Sequence, residues 1–414
     1  MPVFTSALFV SLIFLTLGAA FSLKDRRVGF VASIIAILIS LLSLTGETYF
    51  YGLFIVGIGF MNILSLYISE NQIKGVDYTL IALMVFATIW VIQSNDFAII
   101  LGTFVLVSVP TYVLVLLGEE NGLEVGIKYI TFMVLATVLF IIGAMLLVFS
   151  HSAANPTLYI IGYVFLVLGL SLEVGVAPLH EWVPDVFTAA DPIPISIIAS
   201  LAKIVPFVVA FKILVATANP VTESITMFAA FLAVVSMFVG NIGALTSKEH
   251  GRVLGYSTVA NMGYVIATFV AVVNLEFIYL AIAGALLQLF ANSAGKIGFF
   301  TAIKKEGVGT PVTYMLALSF IGIPPLMGFW SKLFIALSLV NSGYLWLAVL
   351  LVINSAISVP YYLRLARELG KGKGIGMANV IGLLAVALII ITLYPPDWFV
   401  QSVKGIMSTF GVAL

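Results

Sequence analysis

The chain contains no cysteine, only three histidines and few charged residues. Lacking cysteine, it forms no disulfide and holds no thiolate-bound zinc or iron–sulfur cluster, so any redox centre must belong to a partner. Charged residues make up 9% of the 414 positions, against about 25% in an ordinary soluble domain. So little charge could not cover a fold of this size in water. Basic and acidic residues balance at 18 each, which argues against a nucleic-acid footprint or a strongly basic membrane-surface patch. Phosphate-binding glycine loops, the dinucleotide fingerprint and the nucleophile elbow are missing too. Neither a cofactor site nor a catalytic centre is expected in this chain.

What remains is apolar: 62% of residues are hydrophobic and the mean hydropathy is +1.21. Lipid is then the solvent, and a helix needs about 20 apolar residues to cross it. Cutting the sequence at charges and at Gly, Pro and Asn clusters predicts an all-α, polytopic membrane protein of about fourteen transmembrane helices. The segments are 3–22, 28–46, 49–69, 77–94, 97–117, 127–150, 158–188, 194–215, 224–245, 253–273, 276–302, 312–340, 343–363 and 375–394. The loops are short, so residues 1–414 read as a single domain in the plasma or inner membrane. The N-terminus has neither a basic leader nor a small-residue cleavage site and reads as a first spanning helix. Loops after odd-numbered segments carry Lys24, Arg26, Arg27, Lys74, Lys128, Lys248, Arg252, Lys304, Lys305, Arg364, Arg367, Lys371 and Lys373; the opposite loops carry only Lys212 and Lys404. The positive-inside rule places both termini away from the cytoplasm.

The seventh and twelfth segments are long and interrupted by proline, at Pro178 in one and at Pro324 and Pro325 in the other. Proline removes a backbone donor and clashes with the preceding turn, so each segment is expected to be two half-helices. Interrupted helices five positions apart suggest two inverted five-helix repeats, helices 4–8 (about 77–215) and helices 9–13 (about 224–363).

Lys and Arg at the bilayer centre cost about 2.5–3.5 kcal/mol each on insertion scales, and Asp a similar amount. Four ionisable residues nevertheless fall at mid-helix: Glu173, Lys203, Lys296 and Lys332. Paired structural charge is a weak account of them, because apolar groups often replace a buried pair without loss. Lys212, nearer a helix end, reads as a snorkelling residue. Desolvation disfavours a charged form and an opposite charge restores it, so moving one charge can eject a proton from the next group. Glu173 and Lys203 lie on adjacent segments and form a candidate couple. Gln288, Asn292 and Lys296 share one helix face at four-residue spacing, and Tyr256, Ser257, Asn261 and Tyr264 add hydrogen-bonding steps. Individually such polar residues are more often helix–helix contacts than relay members. His180, Glu181 and Asp185 cluster beyond the first break without completing a ligand set, so no metal is expected.

Four stretches carry a family resemblance. Pro178-Leu179-His180-Glu181-Trp182-Val183-Pro184-Asp185, with Asp191-Pro192-Ile193-Pro194-Ile195-Ser196 after it, resembles the seventh-helix signature of antiporter-like subunits. The runs from Gly251 to Tyr264 and from Gly322 to Phe329, and the pair Ser331-Lys332, match as well. Such subunits occur in respiratory complex I, in Mrp-type sodium/proton antiporters and in membrane-bound energy-converting hydrogenases. Lys332 on the twelfth segment resembles the N-type subunit. The resemblance implies proton passage through Lys203 and Lys332, with Lys296 matching an eleventh-helix lysine and Asn292 standing where some members carry His. It also implies a fifth-helix Glu, where this chain has Val105, and a seventh-helix Lys, where it has Glu173.

The expected function is a proton-translocating subunit of a redox-driven membrane complex, partnered by other membrane subunits and, through them, by hydrophilic redox subunits. A sodium/proton antiporter module and a non-pumping structural subunit of the same complex are the alternatives.

Overall fold

A computed structural model describes residues 6–44, 46, 48–69, 73–116, 122–305, 307–372, 376–393 and 397–406. The described residues are almost entirely helical. Three helices open the chain: α1 (Ser6–Ser22), α2 (Arg26–Leu41) and α3 (Thr48–Leu66). Next come α4 (Val76–Gln93), α5 (Phe97–Val115), α6 (Gly122–Ala153), α7 (Pro156–Val174), α8 (Trp182–Ala189), α9 (Pro192–Ala199) and α10 (Ile204–Thr217). A second run holds α11 (Pro220–Thr246), α12 (His250–Ala267), α13 (Ile278–Lys304), α14 (Thr310–Ile321), α15 (Met327–Asn341), α16 (Leu345–Ile357) and α17 (Val359–Leu369). The chain closes with α18 (Met377–Ile390) and α19 (Asp397–Ile406). Among the described residues, ten helices are long and apolar enough to cross a membrane, and α1, α14, α15 and α18 are shorter apolar helices. The last helix lies beyond the fourteen segments read from the sequence. At 10 residues it is too short to span, and its Trp398 and Phe399 pack on Phe54 of α3.

Helix contacts here depend on small residues, because lipid tails give apolar side chains no reason to leave them. The seam between α6 and α7 shows this. A methyl group on Gly162 would sit 2.9 Å from the Leu147 nitrogen, and one on Gly143 or Gly169 would overlap the backbone of Leu166 or Phe140. Gly328, just past the second break, is tighter still, since its methyl would overlap the Ser319 carbonyl. Backbone cannot move aside as a side-chain end can. Gly328→Ala is therefore expected to lower stability by about 1–3 kcal/mol or more, read as an earlier thermal transition. An unchanged transition would mean that α14 and α15 separate without strain.

The two interrupted segments end their first halves in the same way. Gly175 closes α7 and Gly322 closes α14, both left-handed at φ +81° and +89°. A left-handed residue at this place is inexpensive only for glycine. In each case the next N–H reaches back five residues, Val176 to the Ser171 carbonyl at 2.7 Å and Ile323 to Leu318 at 3.0 Å. The matching stretches Gly175-Val176-Ala177-Pro178-Leu179 and Gly322-Ile323-Pro324-Pro325-Leu326 form the links to α8 and α15.

The eighth segment, expected as one helix over 194–215, is also interrupted. After α9 comes a 3₁₀ turn at Leu201–Lys203, and only then α10. Pro206 has no N–H to offer the Ala202 carbonyl, and the Ser200 hydroxyl bonds back to the Ile197 carbonyl at 3.3 Å.

Ion pairs gather at one end of the bundle. Asp185 joins Lys128 at 2.5 Å and Arg252 at 3.1 Å, Asp191 joins Lys304 at 2.6 Å, and His250 joins Glu368 at 2.9 Å. All of these residues lie at or beside loops that follow odd-numbered segments. Lys373, one of the basic residues counted on that side, lies outside the described residues.

Candidate ion-translocation site

Each break leaves carbonyl oxygens without helical partners, and buried ammonium groups occupy them. On the first break, Lys203 Nζ donates to the Glu173 main-chain oxygen at 3.0 Å and lies 4.8 Å from the centre of the Trp182 ring. Trp182 Nε1 takes the neighbouring Leu172 carbonyl at 2.9 Å. On the second, Lys332 Nζ donates to the Phe320 and Ile321 carbonyls at 2.8 and 2.9 Å and to Ser355 Oγ at 2.7 Å. Glu173 and Phe320 are each two positions before the left-handed glycine. A helix C-terminus carries partial negative charge, which favours a cation by about 0.3–1 kcal/mol at a surface and up to about 2 kcal/mol when partly buried.

The third ammonium, Lys296 on α13, donates to the Leu254 carbonyl at 2.5 Å and to Ser257 Oγ at 2.9 Å. No described carboxylate lies within 4.0 Å of Lys203, Lys296 or Lys332. All three are seated on neutral oxygens.

A chain of neutral side chains runs from Lys296 toward Lys332. Ser257 and Tyr362 hydroxyls are 2.6 Å apart, and Asn261 Nδ2 donates to the Tyr362 hydroxyl at 3.1 Å. Gln288 Nε2 donates to Asn261 Oδ1, and Ser331 Oγ donates to Gln288 Oε1, both at 2.5 Å. Ser331 adjoins Lys332 in sequence. On the other side of Lys332 lies the Tyr264 ring, 5.1 Å from the ammonium, and the Tyr264 hydroxyl accepts from Asn241 Nδ2 at 3.3 Å. Toward the first break, Asn292 Nδ2 donates to the Ala199 carbonyl at 3.1 Å, at the end of α9.

Of the sequence candidates, Ser257, Asn261, Gln288 and Lys296 share this network, with Tyr264 beside Lys332. Tyr256 and His180 stand apart from it: their rings face one another at 6.1 Å, and the Arg252 guanidinium lies 5.8 Å from the Tyr256 ring. Among the described residues no cluster of His, Asp or Glu has a metal-holding arrangement.

Two readings are revised, those of Val105 and Lys212. Glu173 and Lys203 are neighbouring charges, without a direct carboxylate–ammonium contact. The Glu173 Oε1 instead accepts from Ser108 Oγ at 3.0 Å, and its Oε2 is buried without a described partner. Val105 is 37% exposed on the outer side of α5, so Ser108 is the α5 side chain that faces position 173. Lys212 does not snorkel: it is buried, and its ammonium takes the Ile92 and Ser94 carbonyls at 3.2 and 2.7 Å, capping α4. Ser108, Tyr362, Ser355 and Asn241 were not singled out from the sequence, and Ser331 was visible only through its pairing with Lys332 in the family motif.

The model of the family described as NADH:quinone oxidoreductase/Mrp antiporter, TM, matches residues 94–358, well over half the chain and both breaks. The chain belongs to this family. Family members similar to it include NADH-quinone oxidoreductase subunit N of Xanthomonas euvesicatoria, 30% identical over 332 residues, 70% of this chain and 67% of that protein. The subunit N of Neisseria gonorrhoeae is 27% identical over 382 residues, covering 81% and 79%. Among solved structures, a chain of respiratory complex I from Thermus thermophilus superposes with a TM-score of 0.77 at 21% identity, covering 94% of this chain and 97% of that one. A chain of an archaeal membrane-bound sulfane sulfur reductase gives 0.81 at 18% identity, covering 98% of each. A chain of the Mrp complex from Dietzia sp. gives 0.72 at 13%, covering 96% and 97%. The antiporter fold is thus shared across both redox-linked and antiporter assemblies.

Proposed function

We propose that the chain is the proton-translocating, antiporter-like membrane subunit of a redox-driven complex, with Lys203, Lys296, Lys332 and Glu173 carrying the protons. The observation that carries this reading is the seating of three buried ammonium groups on neutral oxygens. An ammonium paired with a fixed carboxylate is held charged. One seated on carbonyl and hydroxyl oxygens has no such lock and can give up its proton when a neighbouring charge changes. The chain itself supplies binding and relay groups, and hydrophilic partners supply the electron transfer. Its relatives' name makes electron flow from NADH to quinone the first driving reaction to test. Proton uptake into vesicles bearing the complex should follow that flow and persist without sodium. Uptake that requires sodium would instead favour the antiporter module.

The same proposal includes fourteen spans, two inverted five-segment units and both termini away from the cytoplasm. The matched breaks and the ion-paired rim at one end support it. A helix of 27 residues such as α11 is about 40 Å long, so its ends belong on opposite faces. The native chain has no cysteine to replace, so single cysteines can be read directly. Glu249→Cys should react with a membrane-impermeant thiol reagent from the cytoplasmic side only, and Ser224→Cys from the other side only. Reaction of both from one side would defeat this topology.

A further inference from the structure

Two apolar crevices flank α2. One, of about 610 Å³, is lined by Arg26, Phe30, Leu64, Tyr67 and Tyr78. The other, of about 450 Å³, follows α1 and α2 past Phe14, Leu17, Phe21, Ala32 and Ile35. Arg27 and Val31 line both, so α2 is the ridge between two troughs and Arg27 stands where they meet, at the helix end. Both crevices have volumes typical of ligand sites.

The charges nearby differ in what they are doing. Arg26 is occupied: its guanidinium donates to the Leu66 carbonyl at 3.2 Å, lies 3.8 Å from Asp77 and stacks 4.7 Å from the Tyr78 ring centre. Asp25 uses its carboxylate to cap α2, accepting from the Arg27 N–H at 2.9 Å. The Arg27 side chain is exposed and bonds to no described residue. Its planar fork of five donors suits a phosphate. Tyr67, 66% exposed beside it, is the kind of side chain that sits at headgroup level.

We propose that this is a binding site for one anionic phospholipid, its phosphate on Arg27 and one acyl chain in each crevice. The forked shape decides between a lipid and a partner helix. A helix is about 10–12 Å across with its side chains and would fill one trough, leaving the other open and the guanidinium without an anion. An amphiphile with two tails and one negative head satisfies all three features together.

Native mass spectrometry of the full-length protein in mild detergent tests this, with phosphatidylglycerol and phosphatidylethanolamine added at equal concentration. The parent should retain one phosphatidylglycerol in preference to phosphatidylethanolamine. Arg27→Gln should weaken that retention about fivefold and Arg27→Glu further. Lys305→Gln, an exposed basic residue lining neither crevice, should leave it unchanged. Val31→Trp, which crowds both troughs with the charge intact, should also release the lipid. Equal retention of the two lipids, or of phosphatidylglycerol by parent and Arg27→Glu, overturns the proposal. A photoreactive residue at position 31 in native membranes gives the independent check. An adduct of phospholipid mass is expected, and an adduct to another subunit alone would make the crevices a protein interface.

Discussion

Lys332→Ala should leave the helices assembled and cut electron-coupled proton uptake by about 10²-fold or more, the range lost when a positioned proton-transfer group is removed. Assembly should survive because the carbonyls of Phe320 and Ile321 sit at a break rather than in a helix interior, and Ser355 Oγ already donates to Ile321 at 2.8 Å. Lys332→Arg is the sharper variant. Guanidinium keeps the charge and the hydrogen bonds to the break but stays protonated at any working pH. If the ammonium only braces the two half-helices, arginine should serve and pumping should continue. Loss of uptake with a normal electron-transfer rate and normal subunit content would mark Lys332 as a group that exchanges its proton.

The second large effect is expected at position 173, where relatives of this type are expected to carry lysine. Glu173→Lys would put a second ammonium at the end of α7 already occupied by Lys203, with no acid on α5 to answer it. An uncompensated buried charge costs about 3–5 kcal/mol, so the variant should assemble poorly. Adding Ser108→Glu should restore assembly, because Ser108 is the α5 side chain that touches Glu173. Glu173→Gln should be mild for assembly, since the Lys203 hydrogen bond goes to the main chain and survives the change. Thermal melting and assembly yield of the three variants beside the parent decide the point. A Glu173→Lys protein as stable as its parent would show that the site tolerates two cations.

The parts of this design legible in the sequence are the parts written in backbone chemistry and in rare charge. Proline and glycine mark the breaks because no other residues behave as they do at those dihedrals. Lys203, Lys296 and Lys332 stand out because the segments around them carry so little charge. The parts that could not be read depend on contacts between distant segments. Tyr362 meets Asn261 across 101 positions and Lys212 meets Ser94 across 118, and no local pattern announces either. Burial alone misleads with Lys212, which is as enclosed as the path lysines yet caps a different helix. The face of α5 was unreadable for another reason. That helix has almost no hydrophobic asymmetry, so its sequence carries little rotational phase, and the fifth-helix motif position falls on Val105 instead of Ser108.

The neutral chain between Lys296 and Lys332 has a direction. Ser331 donates to Gln288, Gln288 to Asn261 and Asn261 to Tyr362, while Lys296 donates to Ser257 from the other end. Two amides stand in the middle, and an amide does not readily surrender and regain a proton as a hydroxyl does. What the row passes along is therefore orientation. With Lys296 protonated, the Ser257 hydroxyl must point its hydrogen away from it. Once Lys296 has lost its proton, Ser257 can turn and donate to the free amine, and the Tyr362 hydroxyl can turn to donate to Ser257 while it still accepts from Asn261. The row behaves as a line of small magnets set between two charges, its hydroxyls free to turn with the charge on Lys296 while its amides hold their places.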